Sequence, residues 1–446
     1  MSYMIEGANG LSQLKDFRQC RSRSLHLILT GCICVALGLA AAVPSHAQGA
    51  PTRVTLEQAI DLALQHNPAL VAERTLILQN QAQEITANLR PNPTLGADAQ
   101  FLPFFNPSNF TSTYMDNSAQ FDVGIGYLFE RGKKRQHRLA AAKDQTSVTQ
   151  AQVTDFERSL TFNVSQQFVA VLLAQATIDL AEKDVGSFKQ TVDIGQAQYK
   201  AGAISEGDYL MIKLQLLQFQ SDIAQAKLAK VTALATLHQF LGYATVPDDF
   251  DVDGTLTYEQ LHSGLDTLKA LALKTRPDLL AAQRNVTASI SAEKLAEANG
   301  KVDVAGTVDY SHVSDANALS FFVSVPLPIF NKNQGEIART KAVITQSQAQ
   351  QTAASDQVLN DVLTAYETLH TNDQIIQLYQ SGYLADSKTS LDISDYAYHR
   401  GATSLLDFLD AERTYRATQL AYLQSLAAYM TALEQLREAV GTRTLP

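Results

Sequence analysis

Two short stretches constrain this chain more than any other feature. They are Tyr199–Leu210 (YKAGAISEGDYL) and Tyr398–Leu409 (YHRGATSLLDFL). Each runs Tyr, Gly, Ser, Asp at intervals of three. Tyr199 and Tyr398, Gly202 and Gly401, Ser205 and Ser404, and Asp208 and Asp407 all stand 199 positions apart, as do Gly242 and Gly441 further on. A constant offset held over this distance marks an internal duplication. Each stretch ends one long helical pattern and opens another, and a glycine at such a reversal accepts the left-handed backbone that other residues resist. Two helical hairpin tips are predicted, one per half.

The helices leading to the tips are unusually long. Gly132–Tyr199 is 68 residues without proline, and Gln334–Tyr398 is similar. At about 1.5 Å per residue, such a helix reaches about 100 Å, more than a compact domain needs. After the first tip, Leu214, Leu217, Ser221, Ala224, Leu228, Val231 and Ala235 step by three and four. Leu420, Leu423, Ala427 and Met430 do so after the second. That spacing is a seam for close side-by-side packing. Thr55–Arg90 is also helical, with Leu56, Ala59, Ile60, Ala63 and Leu64 on one face. It is broken at Asn67-Pro68, where proline suits a first helical turn. Arg276-Pro277 repeats that break, and Pro91 and Pro93 stop the helix.

Four segments read as strands. Leu95, Ala97, Ala99 and Phe101 alternate with Gly96, Asp98 and Gln100. Phe121, Val123, Ile125 and Tyr127 alternate with Asp122, Gly124 and Gly126. Val304, Gly306, Val308 and Tyr310 alternate with Asp303, Ala305, Thr307 and Asp309. A fourth runs over about Leu319–Ile329. Their length and alternation suit outer-membrane strands, or equally a sheet half-buried on a soluble core. Four strands cannot close a wide barrel, so they form a small open sheet or join strands of other copies.

The N-terminus reads as an export signal: Lys15, Arg18, Arg21 and Arg23, an apolar run over Leu25–Val43, then Ser45-His46-Ala47 as a cleavage site. Leu29-Thr30-Gly31-Cys32 offers lipidation as the alternative. Cys20, Cys32 and Cys34 all lie in this segment, so the mature chain has no thiol for a disulfide or metal site. Cleavage removes four basic and two acidic residues, taking the formal charge from −10 to −12. No nucleic-acid partner fits that balance. No later stretch is expected to be a membrane helix, so any crossing is by strands.

Catalytic patterns are missing. The sequence has no HExxH, no phosphate loop and no GxSxG turn, and Gly124-x-Gly126 lacks the third glycine of a dinucleotide site. We expect no enzyme, cofactor or resident metal. Asp249–Gly254 resembles the start of a calcium loop, but its twelfth position is Gln260, which favours an acidic linker. The basic cluster Lys133, Lys134, Arg135, His137 and Arg138 follows a strand. It reads as a solvated junction or as a contact for phosphate groups or a partner.

On the paired tips, the two Pro breaks and two strands per half, the chain resembles the TolC-like outer-membrane efflux family from about Thr55 to Gly441. Arg90-Pro91-Asn92-Pro93 looks most like its heavy-metal branch. The resemblance implies a mostly α fold with a transmembrane β-barrel. It divides the chain into a signal peptide over 1–47, a first repeat over 48–241, a linker over 242–265 and a second repeat over 266–446. A homotrimer would close a twelve-stranded barrel in outer-membrane lipid and project a helical tunnel into the periplasm. The implied partners are a periplasmic adaptor and an inner-membrane pump of resistance-nodulation-division type. By position, Asp407 and Asp410 match an acidic ring at the periplasmic gate, Asp208 and Tyr398 a closing hydrogen bond at the tips, and Gly202 and Gly401 the turns an adaptor touches. An Arg of that network in some members is Thr403 here. Ser205-x-x-Asp208 and Ser404-x-x-Asp407 are also capping-box patterns, which gives both aspartates a second role. Two rival readings are a coiled-coil scaffold or adhesin of the envelope without channel activity, and an exported hydrolase with dispersed carboxylates.

Overall fold

A computed structural model describes residues 52–446. The export signal, the Cys32 box and all three cysteines lie outside them. The chain opens with β1 (Arg53–Val54) and α1 (Leu56–His66). Thr55 caps α1 in a closed box: its hydroxyl takes the Gln58 amide while Gln58 Oε1 takes the Thr55 amide at 3.0 Å. Asn67 ends α1 and caps α2 (Pro68–Ala87), its Oδ1 accepting from the Leu70 amide at 3.0 Å. Then follow β2 (Thr94–Gln100), the short α3 (Ser112–Ser118), β3 (Gln120–Phe129), α4 (Lys134–Lys200) and α5 (Glu206–Leu241). After the linker strand β4 (Asp251–Val252) the plan recurs: α6 (Leu265–Thr275), α7 (Pro277–Asn299), β5 (Val304–Val313), β6 (Ala316–Ser324), α8 (Gln334–Leu378), α9 (Leu384–His399) and α10 (Leu405–Val440). A π turn at Tyr379–Tyr383, with Gly382 at φ 142°, joins α8 to α9.

Both Pro breaks are anchored to equivalent places. Asn67 Nδ2 donates to the Phe240 carbonyl at 2.9 Å, and Arg276 donates to the Ala439 carbonyl at 3.1 Å, 199 residues on. Gly242 (φ 87°) and Gly441 (φ 81°) end α5 and α10. A Cβ on either would crowd the break itself, 3.1 Å from His66 O and 3.2 Å from Arg276 Cα. Both glycines therefore serve a positive-φ helix end and the close approach, and of the two Gly441 alone forms the left-handed cap.

α4 spans 67 residues, about 100 Å at helical rise. Contrary to expectation, it contains a stretch apolar enough by length and composition to cross a membrane. Half of that stretch is buried, and Leu160, Val164, Phe168 and Val171 pack with α1 and with Leu237 and Leu241 of α5, as in a core helix. The predicted seam of α5 is also corrected. The face it buries in its own chain carries Ile212, Phe219, Ala226, Ala233 and Leu237, whereas Leu214, Leu217, Leu228 and Val231 are exposed. α5 thus has two apolar faces, and the seam is the outward one. In the second half α6, α8 and α10 enclose a separate core around Leu268, Val362, Leu369 and Leu436.

The four longer strands form one antiparallel sheet, β2-β3-β5-β6. β6 covers Ala316–Ser324 rather than 319–329: it turns back tightly after β5 and stops before Pro326 and Pro328, which lack the amide a ladder needs. β1 and β4 pair in parallel and tie the linker to the N-terminal segment. In the calcium-like stretch, Asp251 is held by Lys230 Nζ at 2.7 Å. Further on, the Tyr258 hydroxyl donates to Asp373 of α8, and the Tyr429 hydroxyl donates to the Glu259 carbonyl. The linker is strapped to the second half.

Candidate functional site

Both tips fold as their spacing predicts. Gly202 and Gly401 take φ of 73° and 71°, and each lets the next amide reach back into the helix: Ala203 to Gln198 O and Ala402 to Ala397 O, both at 2.8 Å. Ser205 and Ser404 then cap α5 and α10, accepting from the amides of Asp208 (3.1 Å) and Asp407 (3.2 Å). The carboxylates reach back to the same serines at 2.8 and 2.7 Å, and Asp407 also accepts from Thr403 Oγ1 at 2.9 Å. The Ser404 and Thr403 hydroxyls hold the Asp407 carboxyl below its ordinary range. Asp410 is exposed one turn further along α10.

An aromatic pair sits behind each tip at equivalent positions. Tyr199 stacks on Tyr209 at 5.4 Å and Tyr398 on Phe408 at 5.2 Å. Only the second joins an apolar core: Phe408 is buried with Phe188, Ile212, Phe219, Leu405 and Leu409, and Tyr398 packs half-buried against them. The Tyr398 hydroxyl is buried there without a hydrogen-bond partner. Burial, and then the negative charge of nearby Asp208, raise its pKa. Within one protomer no hydrogen bond joins Asp208 to Tyr398, because the Asp208 carboxylate is turned to Ser205.

Above the tips a charged junction ties α10 to the first hairpin. Arg416 reaches Asp184 of α4 at 2.9 Å and Asp222 of α5 at 2.5 Å, and lies 4.3 Å over the Phe219 ring. Arg413 donates to Gln215 Oε1 at 3.1 Å. Glu412 is half-buried beside them, with one carboxyl oxygen buried and unpaired. Burial, and then the neighbouring Asp184, push it up to about 7 against the pull of Arg416 and Arg413. Burial also raises Asp184.

The sheet has two unlike faces. Across it, Leu95, Ile125, Val308 and Phe321 lie side by side, next to a row of Ala97, Val123, Tyr310 and Leu319. All of the large side chains in these rows are exposed. The opposite face carries Asp98 beside Asp122 and Ser311, and Asp309 beside Gly124 and Ser320. A Cβ on Gly124 would collide with Asp309 Oδ1, so glycine makes room for that carboxylate. Gln100 bridges Asp98 and Asp122 at 3.3 and 3.2 Å. An exposed apolar face backed by a carboxylate-rich one is the pattern of a strand wall between lipid and a wet lumen. Among the described residues no three His, Cys, Asp or Glu side chains gather to hold a metal ion.

The profile of the outer membrane efflux protein family matches residues 59–243 and 268–442. The chain belongs to this family. It is 24% identical over 416 residues to the cobalt-zinc-cadmium resistance protein CzcC of Cupriavidus metallidurans, covering 90% of this chain and 93% of that protein. It is 27% identical over 322 residues to the cation efflux system protein CusC of Escherichia coli (strain K12), covering 68% and 67%. A crystal structure of CusC superposes with a TM-score of 0.72 at 20% identity, over 87% of this chain and 92% of that one. This efflux protein is thus an outer-membrane channel of a tripartite system with a TolC-like fold, its helical part in the periplasm. Channels of the family work as trimers with a periplasmic adaptor and an inner-membrane pump.

The basic cluster of this efflux channel is partly internal. Lys134 is buried against Asp303 at 2.7 Å, and Arg138 pairs with Glu130, while Lys133 is exposed. Sequence reasoning missed the Arg416 junction. One signal was available: Arg416, Arg413 and Asp222 fall where the other repeat has Leu217, Leu214 and Ala421, so the repeats disagree in charge there.

Proposed function

We propose that three copies form a passive duct that exports metal cations delivered by a resistance-nodulation-division type pump, and that the protein performs no bond chemistry. The observation that carries this reading is the sheet. β2 and β6 are unpaired edges, one face is exposed and apolar, and the other is acidic. An open edge is untenable in hydrocarbon, so each edge needs the strand of another copy. The exposed Leu214–Val231 seam of α5 gives the rods a matching surface for the neighbouring copy. The cation-efflux relatives and the acidic sheet face favour cations as cargo.

Asp407 and Asp410 form the acidic constriction at the periplasmic mouth, and three-fold symmetry would gather like charges near the axis. Asp208 closes on the unpaired Tyr398 hydroxyl in the resting trimer, exchanging one Ser205 contact for it. Nothing lies within 4 Å of a Cβ placed on Gly202 or Gly401, which leaves both turns free for an adaptor. An adaptor that binds the open tips better shifts the channel toward them. Asp407→Ala with Asp410→Ala is expected to raise single-channel cation conductance in planar bilayers about twofold or more. Unchanged conductance in the double variant removes the gate assignment. A purified wild type without heat-stable trimers in detergent would remove the duct.

A further inference from the structure

Every passage between the sheet and the long helices α2, α4, α7 and α8 carries an exposed basic residue. Arg90 precedes β2, Arg131 and Lys133 lie between β3 and α4, Lys301 between α7 and β5, and Lys332 between β6 and α8. All five are exposed, and among the described residues none forms an ion pair. Two nearby carboxylates are already engaged: Asp303 takes Lys134 and the Arg131 amide, and Glu130 takes Arg138. Glu297, one turn before Lys301, is exposed without an ion pair among the described residues, so the five bases outnumber the single free carboxylate beside them.

The five lie at one level of the molecule. Thr94 pairs with Gly126 and Val304 with Phe129. Arg90, four residues before Thr94, therefore runs level with Glu130 and Arg131, and Lys301, three before Val304, runs level with Gly132. A Cβ on Gly132 would stand 2.7 Å from Lys301 Cδ, and one on Gly300 would stand 2.6 Å from the Lys332 carbonyl oxygen. The two glycines thus let three basic segments approach one another. Arg138 donates to the Ala87 and Leu89 carbonyls at 3.3 and 3.1 Å, which draws in the Arg90 segment. At the same level Leu89, Phe129, Leu327, Ile329 and Phe330 are exposed, with Phe330 at 90%. Exposed apolar and aromatic groups interleaved with basic ones, where a membrane-crossing sheet ends, mark a lipid–water interface.

We propose that these junctions, repeated around the trimer, form a basic collar that binds anionic phospholipid headgroups of the periplasmic leaflet and seats the barrel at a fixed depth. The proposal rests on the channel reading. Unanswered charge at the interface gains from anionic headgroups what a zwitterionic surface does not supply, about fivefold in affinity per charge.

The test uses the detergent-solubilised full-length trimer and native mass spectrometry. The protein is titrated with phosphatidylglycerol or phosphatidylcholine, with inorganic phosphate as competitor. The variants are Lys301→Gln with Lys332→Gln, and separately Arg90→Gln with Lys133→Gln. A control changes Lys183→Gln with Lys189→Gln on exposed positions of α4. The wild type and control should favour phosphatidylglycerol by about tenfold or more, and each collar variant should bind it about 25-fold more weakly. Equal retention of the two lipids by the wild type, or unchanged affinity in both collar variants, overturns the collar. Displacement of the lipid by micromolar phosphate also overturns it, in favour of a free-phosphate site. Trimer mass and bilayer conductance are read on the same samples. A wild type that conducts without lipid preference refutes the collar alone, whereas one that neither trimerises nor conducts refutes the channel.

Discussion

The two halves of the chain share a plan but are secured differently. In the first half the rod α4 is unbroken, the tip aromatics Tyr199 and Tyr209 stack near the surface, and the Pro break is held by the neutral Asn67. In the second half a π turn interrupts the rod, and of the tip aromatics Phe408 is buried and Tyr398 half-buried. The break there is held by Arg276, whose side chain is 4% exposed and pairs with Asp278 at 2.7 Å and Asp361 at 3.0 Å. The difference teaches that duplication preserved backbone anchors while the side chains diverged. Both halves bury polar groups, but the second buries more charge: Arg276, Asp373 and Glu434 against Lys134 in the first, and a buried charge is costly to disturb.

The largest expected contrast lies at the breaks. Arg276→Met strands Asp278 and Asp361, and should cost about 3–5 kcal/mol. Asn67→Ala loses a cap and one carbonyl bond, and should cost about 1–2 kcal/mol. Guanidinium unfolding of the solubilised protein measures both, and equal losses would break the contrast.

The Glu412 junction comes next. Its folded value of about 7 lies above the ordinary 4.5, so the folded state holds a proton that the unfolded chain releases. That contribution is full below about pH 4.5 and is lost as pH rises through 7, a change of at most about 3 kcal/mol. Thermal midpoints should fall across this window in the wild type. They should fall less in Glu412→Gln, which keeps the neutral form; a parallel decline in both proteins would count against the junction.

The smallest effect sharpens the likeness rather than the difference. Ser205→Ala and Ser404→Ala should each cost about 1 kcal/mol, because the two caps share one geometry. A loss at Ser404 several times that at Ser205 would show that Asp407 depends on its serine for more than capping.

Local features were legible in the sequence. The tip glycines, the capping boxes, the Pro breaks and the alternation of the first three strands each follow from a few consecutive residues, and each appears where expected to within a few residues. The fourth strand was placed late because its apolar run continues past the point where Pro326 and Pro328 remove the ladder donors. The seam of α5 was found, but periodicity cannot say which of two apolar faces turns inward. Arg416 with Asp184 and Asp222 was missed because the partners meet across three helices, and the sequence carries only the charge difference between the repeats as a trace of them. The carry-over of a gate to Asp407 and Asp410 rested on family resemblance. The geometry adds that Asp407 is also a cap while Asp410 makes no bond of its own within the protomer.

The π turn at Tyr379–Tyr383 has a mechanical consequence. It places a loosened vertebra between the 45 residues of α8 and the 16 of α9. A sideways push on the last stretch of the second rod would meet its first soft point here. The first rod, 67 residues of continuous helix, has no such joint, so any give at the mouth would fall on one rod of the protomer.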